Sequence, residues 1–242
     1  MLIKFLCLSD LHGNRPDIKE DFDVMLIGGD ICPVFNHSFP YQNQYLFGEF
    51  VDWVNQLPFK DENSKVVVVP GNHDFAPMDF KAEDFAKWNE LSNGRIVPLF
   101  NDVYDYNGII IAGTPWCHTF GHWAFMVDDM DLSLKYHELN KHNDIDVFVS
   151  HDAPCIDEYG VIHQGWQKGK QVGNVPLRDF IIEAKPKIAL HGHIHTSSHE
   201  LKEIAGTYYR CISLLDENYD VVYEPFVFYM NENKEVITEN QL

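Results

Sequence analysis

Residues 66–74 read VVVVPGNHD. Four β-branched apolar residues suit a strand buried on both faces. The chain then passes at once to proline and glycine, followed by asparagine, histidine and aspartate. A turn by itself accounts for Pro, Gly, Asn and Asp. What argues for more than a turn is that the pattern recurs. The run LIKFLCL (2–8) is followed by Asp10 and His12, and VMLI (24–27) by Gly28, Gly29 and Asp30. VVVV (66–69) leads to Asn72, His73 and Asp74, and IDVFV (145–149) to His151. KIAL (187–190) runs into His191, Gly192, His193 and His195.

Short runs rich in Val and Ile read as strands, and helical periodicity lies between them. Leu46, Phe50, Val54 and Leu57 share one face of a helix expected over 43–57. A second helix is expected over 79–91, capped by Asp79, and a third over 175–184. Alternation of strand and helix implies an α/β domain. Residues 206–229 read instead as consecutive strands, so two sheets are expected, the later one partly antiparallel. With no repeat or linker in view, residues 1–242 are expected to form a single domain.

In an open α/β sheet, residues just beyond the carboxyl ends of parallel strands meet in one crevice. Five runs ending in metal-capable side chains therefore point to a shared site. Imidazoles, carboxylates and an amide oxygen without thiolate suit divalent ions such as Mn, Fe, Zn or Ni. Seven donors exceed one tetrahedral site and suit two ions about 3.5–4 Å apart that share a carboxylate. Gly28, Gly29, Gly71 and Gly192 stand just before donors, where a side chain would obstruct the backbone's approach.

Composition sets further bounds. A net charge of −19 leaves no basic stripe for duplex nucleic acid. Acidic runs at 127–132 and 216–218 read as solvated faces. No apolar run reaches the roughly 18 residues that would span a bilayer. The apolar N-terminus is too short for a signal peptide and reads as the first strand. Five scattered cysteines without a CxxC pair suit free thiols in a reducing cytoplasm. His37, His137, His142, His163 and His199 read as ordinary surface or core residues, His191 as structural, and Cys155 as a small buried hydrophobe. In the stretch 113–125, Trp116, His118 and Phe120 are either core or a platform for a nucleobase. The loop 163–174 carries Lys168 and Lys170 and is either solvated or a lid beside the phosphate.

The ordered set D10-x-H12, G29-D30, G71-N72-H73-D74, H151 and G192-H193-x-H195 resembles the calcineurin-like metallophosphoesterases. The stretches IAGTPWCHTFGHWAF, DVFVSHDAP and KPKIALHGHIH are similar to the MPPED-type (UPF0046) phosphodiesterases. The resemblance implies two mixed β-sheets sandwiched between helices. It implies that Asp10, His12, Asp30 and His195 hold one cation. Asn72, His151 and His193 would complete the second site, with Asp30 bridging. It further implies that His73 acts on the phosphate and is not a ligand. Pro70 stands where the protein-phosphatase branch carries an arginine, which disfavours phosphoprotein substrates.

These readings together suggest a two-cation phosphodiesterase for small, cyclic-type nucleotide diesters, with no duplex nucleic acid or membrane as partner. A water acidified by both cations would attack phosphorus. His73, paired with Asp74, would stabilise developing charge or protonate the leaving oxygen. The rivals are a monoesterase or single-strand nuclease of the same kind, and a catalytically silent metal-binding module.

Overall fold

The computed structural model describes residues 2–142 and 144–242. Among them, two six-stranded sheets stack face to face. The first has the order β14-β13-β1-β2-β3-β4: Val236–Ile237, Phe226–Asn231, Leu2–Leu8, Val24–Ile27, Lys65–Val68 and Ile96–Pro98. The second has the order β11-β12-β10-β9-β6-β5: Lys202–Ile204, Thr207–Cys211, Ile188–His191, Val147–Ser150, Ile109–Thr114 and Asp102–Tyr106. A small parallel pair, β7 (Cys117–His118) and β8 (Met126–Val127), lies apart from both.

Side-chain alternation along the strands builds the layers. On β1, Phe5 and Cys7 face the second sheet, whereas Leu6 and Leu8 face helices. The layer between the sheets joins Val24, Leu26 and Val67 to Ile111, Val149 and Leu190. The outer face of the first sheet packs Met25, Ile27 and Val68 against Leu46, Phe50 and Trp88. The outer face of the second packs Phe148 and Tyr209 against Leu132, Tyr136 and Phe180. Both faces of each central strand are thus dry, which is why the strands read as unbroken apolar runs. The expected sandwich of two mixed sheets between helices is the observed fold.

The helices differ in detail from expectation. The first is a relay of α1 (Phe39–Tyr45), a π-helical turn at Leu46–Phe50 and α2 (Val51–Val54), so it starts before residue 43 and leaves Leu57 outside. Asp79 does not cap the next helix, because it lies in a 3-10 turn at Ala76–Asp79. That helix, α3, spans Ala82–Leu91, and Asp84 accepts the Lys81 backbone N–H at 2.8 Å. The acidic run at 127–132 is a helix start and not only a solvated face. Asp128 caps α4 (Asp129–Leu139) by accepting the Asp131 N–H at 2.9 Å, and Leu132, Tyr136 and Leu139 are buried. Helix α5 spans Val175–Ala184 as expected, with Asn174 as its cap.

The late strands do not form one sheet. β12 runs parallel to β10 in the second sheet, whereas β13 returns to pair antiparallel with β1 in the first. Both sheets are therefore mixed, and the carboxyl ends of β1, β2 and β3 meet those of β9 and β10 across the sandwich.

Candidate metal centre

The parallel strands end and the backbone turns sharply. Asp10, His12, Asp30 and His193 all have positive φ, between 44° and 66°. Non-glycine residues in this region are strained by roughly 1–3 kcal/mol each. Here the turns are pinned by hydrogen bonds: the Asp10 N–H donates to the Gly29 carbonyl at 2.9 Å and the His12 N–H to that of Asp30 at 2.7 Å. The two strand ends hold each other in the conformation that aims both side chains inward.

Two donor clusters result, Asp10–His12–His195 and Asp10–Asp30–His151, each with its donor atoms within 4.8 Å of one another. Asp30 faces both ways, with Oδ2 3.5 Å from His12 Nε2 and Oδ1 3.4 Å from His151 Nε2. His195 Nε2 lies 3.5 Å from Asp10 Oδ1 and 3.4 Å from His12 Nε2. The Asn72 side-chain oxygen is 2.8 Å from His151 Nε2. The His193 ring lies 5.2 Å from that of His151, and its backbone N–H donates to Asp10. All seven sequence-read donors thus converge. Asp10 reaches both clusters, although the expected partition gave it to one.

Outer contacts orient the rings. Nδ1–H of His151 donates to the Gly28 carbonyl and Nδ1–H of His195 to that of Asp216, each at 2.9 Å. Each ring thereby presents Nε2 to the centre, the arrangement that metal-binding histidines use. A Cβ at Gly29 would fall onto His151 Nδ1, and one at Gly71 onto Asp30 Oδ1. At Gly192 it would stand 2.5 Å from Asp10 Oδ2, whereas at Gly28 it meets only Ser9, at 3.1 Å, and Ile212. Three of the four glycines are therefore required by the donors themselves.

Charge supports the same fit. Burial would raise the Asp10 and Asp30 carboxyls, but the imidazoles of His195 and His151 beside them hold both below the usual carboxylate range. Against the opposing effect of burial, Asp30 raises His151 to about 10 and Asp10 raises His195 to about 9. Burial prevails at His12 and His193 and lowers each to about 4. The centre therefore offers two ionised carboxylates and two neutral imidazoles, and a bound cation would replace the protons that those carboxylates draw to His151 and His195. Hard and borderline divalent cations match such a donor set.

The expected His73–Asp74 pair is not formed. The buried Asp74 carboxylate accepts the backbone N–H groups of Ile31, Cys32 and Gly71 at 2.8–3.0 Å. It secures the turn after Asp30, and no contact with the His73 ring is left to it. His73 Nδ1 instead meets Nε2 of His37 at 3.1 Å, so His37 is not an ordinary surface or core residue. Trp123 covers the His73 ring, with centroids 4.4 Å apart.

A cleft of about 720 Å³ opens over the cluster, bordered by His118, Phe120, Trp123, Lys170 and Tyr219. His118 and Phe120 stand where expected, with Phe120 5.1 Å from the His193 ring. Trp116 does not. It packs against Phe125 and the α4–α5 layer, with Lys135 Nζ 3.5 Å above its ring. Trp123, in the segment between β7 and β8, takes the place at the cleft. Tyr219 directly follows the acidic run 216–218, and its ring meets His12 and His195 edge-on at 4.9 and 5.3 Å. Lys170 brings the loop 163–174 to the cleft, whereas Lys168 does not line it.

His118, at the edge of the cleft, is drawn toward its protonated form. Burial would lower it, but the hydrogen bond and charge of Asp152 outweigh that and raise it. The Asp152 carboxylate takes both its Nδ1–H, at 2.8 Å, and its backbone N–H, at 3.0 Å. His191 is buried against Tyr159 and takes no part. All five cysteines are free, and none borders the cleft. No described helix is long and apolar enough to cross a membrane.

The chain is similar to known proteins in sequence and in fold. A UPF0046 protein of Caenorhabditis elegans is 26% identical over 93% of this chain, which spans 59% of that relative's length. The crystal structure of TT1561 from Thermus thermophilus superposes with a TM-score of 0.59 at 12% identity, covering 98% of this chain and 97% of the other. A putative 5'-nucleotidase from Staphylococcus aureus, solved with alpha-ketoglutarate, gives 0.50 at 14% identity over 99% of this chain and 53% of its own. The family model for the calcineurin-like phosphoesterases matches residues 3–197. That span holds every donor of the cluster from Asp10 to His195, and the chain belongs to the calcineurin-like phosphoesterase family.

Proposed function

We propose that the protein is a phosphodiesterase that hydrolyses small nucleotide-type diesters at a pair of divalent cations, Mn foremost. The observation that carries this reading is the Asp30 carboxylate, whose two oxygens face His12 on one side and His151 on the other. Asp10, His12, Asp30 and His195 would hold one cation, and Asp30, Asn72, His151 and His193 the second. When bound, such a pair supplies an acidified water as nucleophile and neutralises charge on the phosphoryl oxygens.

The chain's own groups supply the rest. His73 borders the cleft with Nδ1 engaged by His37, so Nε2 is the nitrogen left to serve the leaving oxygen. Lys170 brings positive charge to a protein of net charge −19, and His118, held by Asp152, adds a ring nitrogen at the cleft for a phosphoryl oxygen. Phe120 and Trp123 flank the cleft and offer faces on which a base can stack. Pro70, in place of an arginine, removes a bidentate clamp for a phosphomonoester dianion and tilts preference toward diesters.

The test is hydrolysis of bis-aryl against mono-aryl phosphates with added Mn²⁺, followed by cyclic and linear nucleotide diesters. Faster diester turnover is expected. Preferential release of phosphate from monoesters or phosphoserine protein would overturn the diester assignment. Metal binding without any turnover would favour a silent module.

A further inference from the structure

We propose that His37 selects the tautomer of His73 and fixes its ring, a positioning role that rests on the phosphodiester reading above. His37 lies in the loop between Asp30 and α1, and its Nε2 is 3.1 Å from His73 Nδ1. Two neutral imidazoles at that distance share one proton-donating N–H. If His37 donates, His73 accepts at Nδ1 and carries its own proton on Nε2, the nitrogen with no hydrogen-bond partner among the described residues. If the roles were reversed, Nε2 would bear only a lone pair and could offer no hydrogen bond to a phosphate or leaving oxygen.

No other group among the described residues is placed to set this choice. Asp74, the neighbouring carboxylate, is saturated by the amides of Ile31, Cys32 and Gly71. The His73 backbone is held at both ends: its N–H donates to Asp30 Oδ1, and its carbonyl accepts from Gln42 Nε2, each at 2.7 Å. Trp123 lies over the ring, with 33° between the two planes, and limits its movement. Neither contact distinguishes the ring from one flipped about its Cβ–Cγ bond. The His37 hydrogen bond does, because a flip exchanges Nδ1 for a carbon. His37 is itself steadied between Phe75 and Trp123, with ring centroids 5.4 and 5.5 Å away.

Two-bond nitrogen–proton spectra of the Zn²⁺-loaded, diamagnetic protein report which nitrogen of each imidazole is protonated, with His73→Ala identifying the resonance. The wild type is expected to show His73 protonated on Nε2, and His37→Ala a mixture of tautomers. Kinetics on bis-aryl phosphates should show kcat falling about 10–100-fold in His37→Ala, with KM and a content of two metals unchanged, as for a misplaced catalytic group. His37→Gln, whose amide N–H can reach Nδ1, should recover much of kcat. A wild-type His73 protonated on Nδ1 overturns the proposal. So does a His37→Ala protein with unaltered tautomer and kcat, or one in which Ala and Gln fail alike through loss of metal. A fully active His73→Ala protein would count against the catalytic reading of the site, while the spectra still decide the His37–His73 relationship.

Discussion

The backbone N–H of His73 donates to Oδ1 of Asp30 at 2.7 Å. The other oxygen of Asp30 is turned to His12, so one carboxylate ties the two halves of the cation cluster to the histidine beside the cleft. Asp30 therefore shapes the site as well as supplying charge to it.

Replacing Asp30 with alanine should lower metal occupancy at both positions and abolish turnover. Elemental analysis of the purified variant is the check. Two full equivalents retained would show that the carboxylate is not shared.

The glycines offer a contrast between crowded and open positions. Gly71→Ala places a Cβ on Asp30 Oδ1, and overpacking of this kind costs about 1–3 kcal/mol. Metal affinity should fall along with stability, because the atom displaced is a donor. Gly48 meets nothing within 4 Å, and alanine there should stabilise the helical segment by about 0.5–1 kcal/mol. Denaturant midpoints that move together for both variants would contradict the geometry.

Two tryptophans in one stretch should behave differently. Trp116→Ala removes packing against Phe125 and the α4–α5 layer, at a cost of roughly 3 kcal/mol with KM unchanged. Trp123→Ala should leave stability nearly intact but raise KM for nucleotide diesters more than for simple aryl ones. A raised KM in the Trp116 variant alone would reverse the assignment.

The His118–Asp152 pair makes a pH-dependent contribution to stability. His118 is raised above its ordinary 6.5, so its share is complete below that value and is lost as pH rises through the raised one. Asp152 is opposed by burial, but its bond to His118 lowers it to about 2; its share is present above 3.8 and is lost as pH falls toward 2. In Asp152→Asn, burial should prevail and bring the His118 midpoint below 6.5. Proton NMR titration of the imidazole measures it, and an unmoved midpoint would show that Asp152 is not the cause.

The donors were legible in the sequence because the cause of their convergence is local. Each follows directly on an apolar run such as VMLI or VVVV, and parallel strands carry their carboxyl ends to one edge. The glycines at 29, 71 and 192 could be read for the same reason, since each stands beside the donor that needs the space. The start of α4 was masked by its own acidic residues, as Asp128, which caps it, and Asp129 and Asp131, which suit the positive end of its dipole, all read as surface charge.

Only the tertiary structure decided the partners. Asp74 is adjacent to His73 in the chain, yet its carboxylate is taken by amides of Ile31 and Cys32, more than forty residues away. That leaves the ring to His37, which no spacing rule connects to it. The choice between Trp116 and Trp123 depended likewise on tertiary packing, which sets Trp116 against the α4–α5 layer and Trp123 at the cleft. A chain can show which side chains will reach one place, because strand ends are set by neighbours in sequence. The hydrogen bond each one finds there depends on competition among groups that only packing brings within reach.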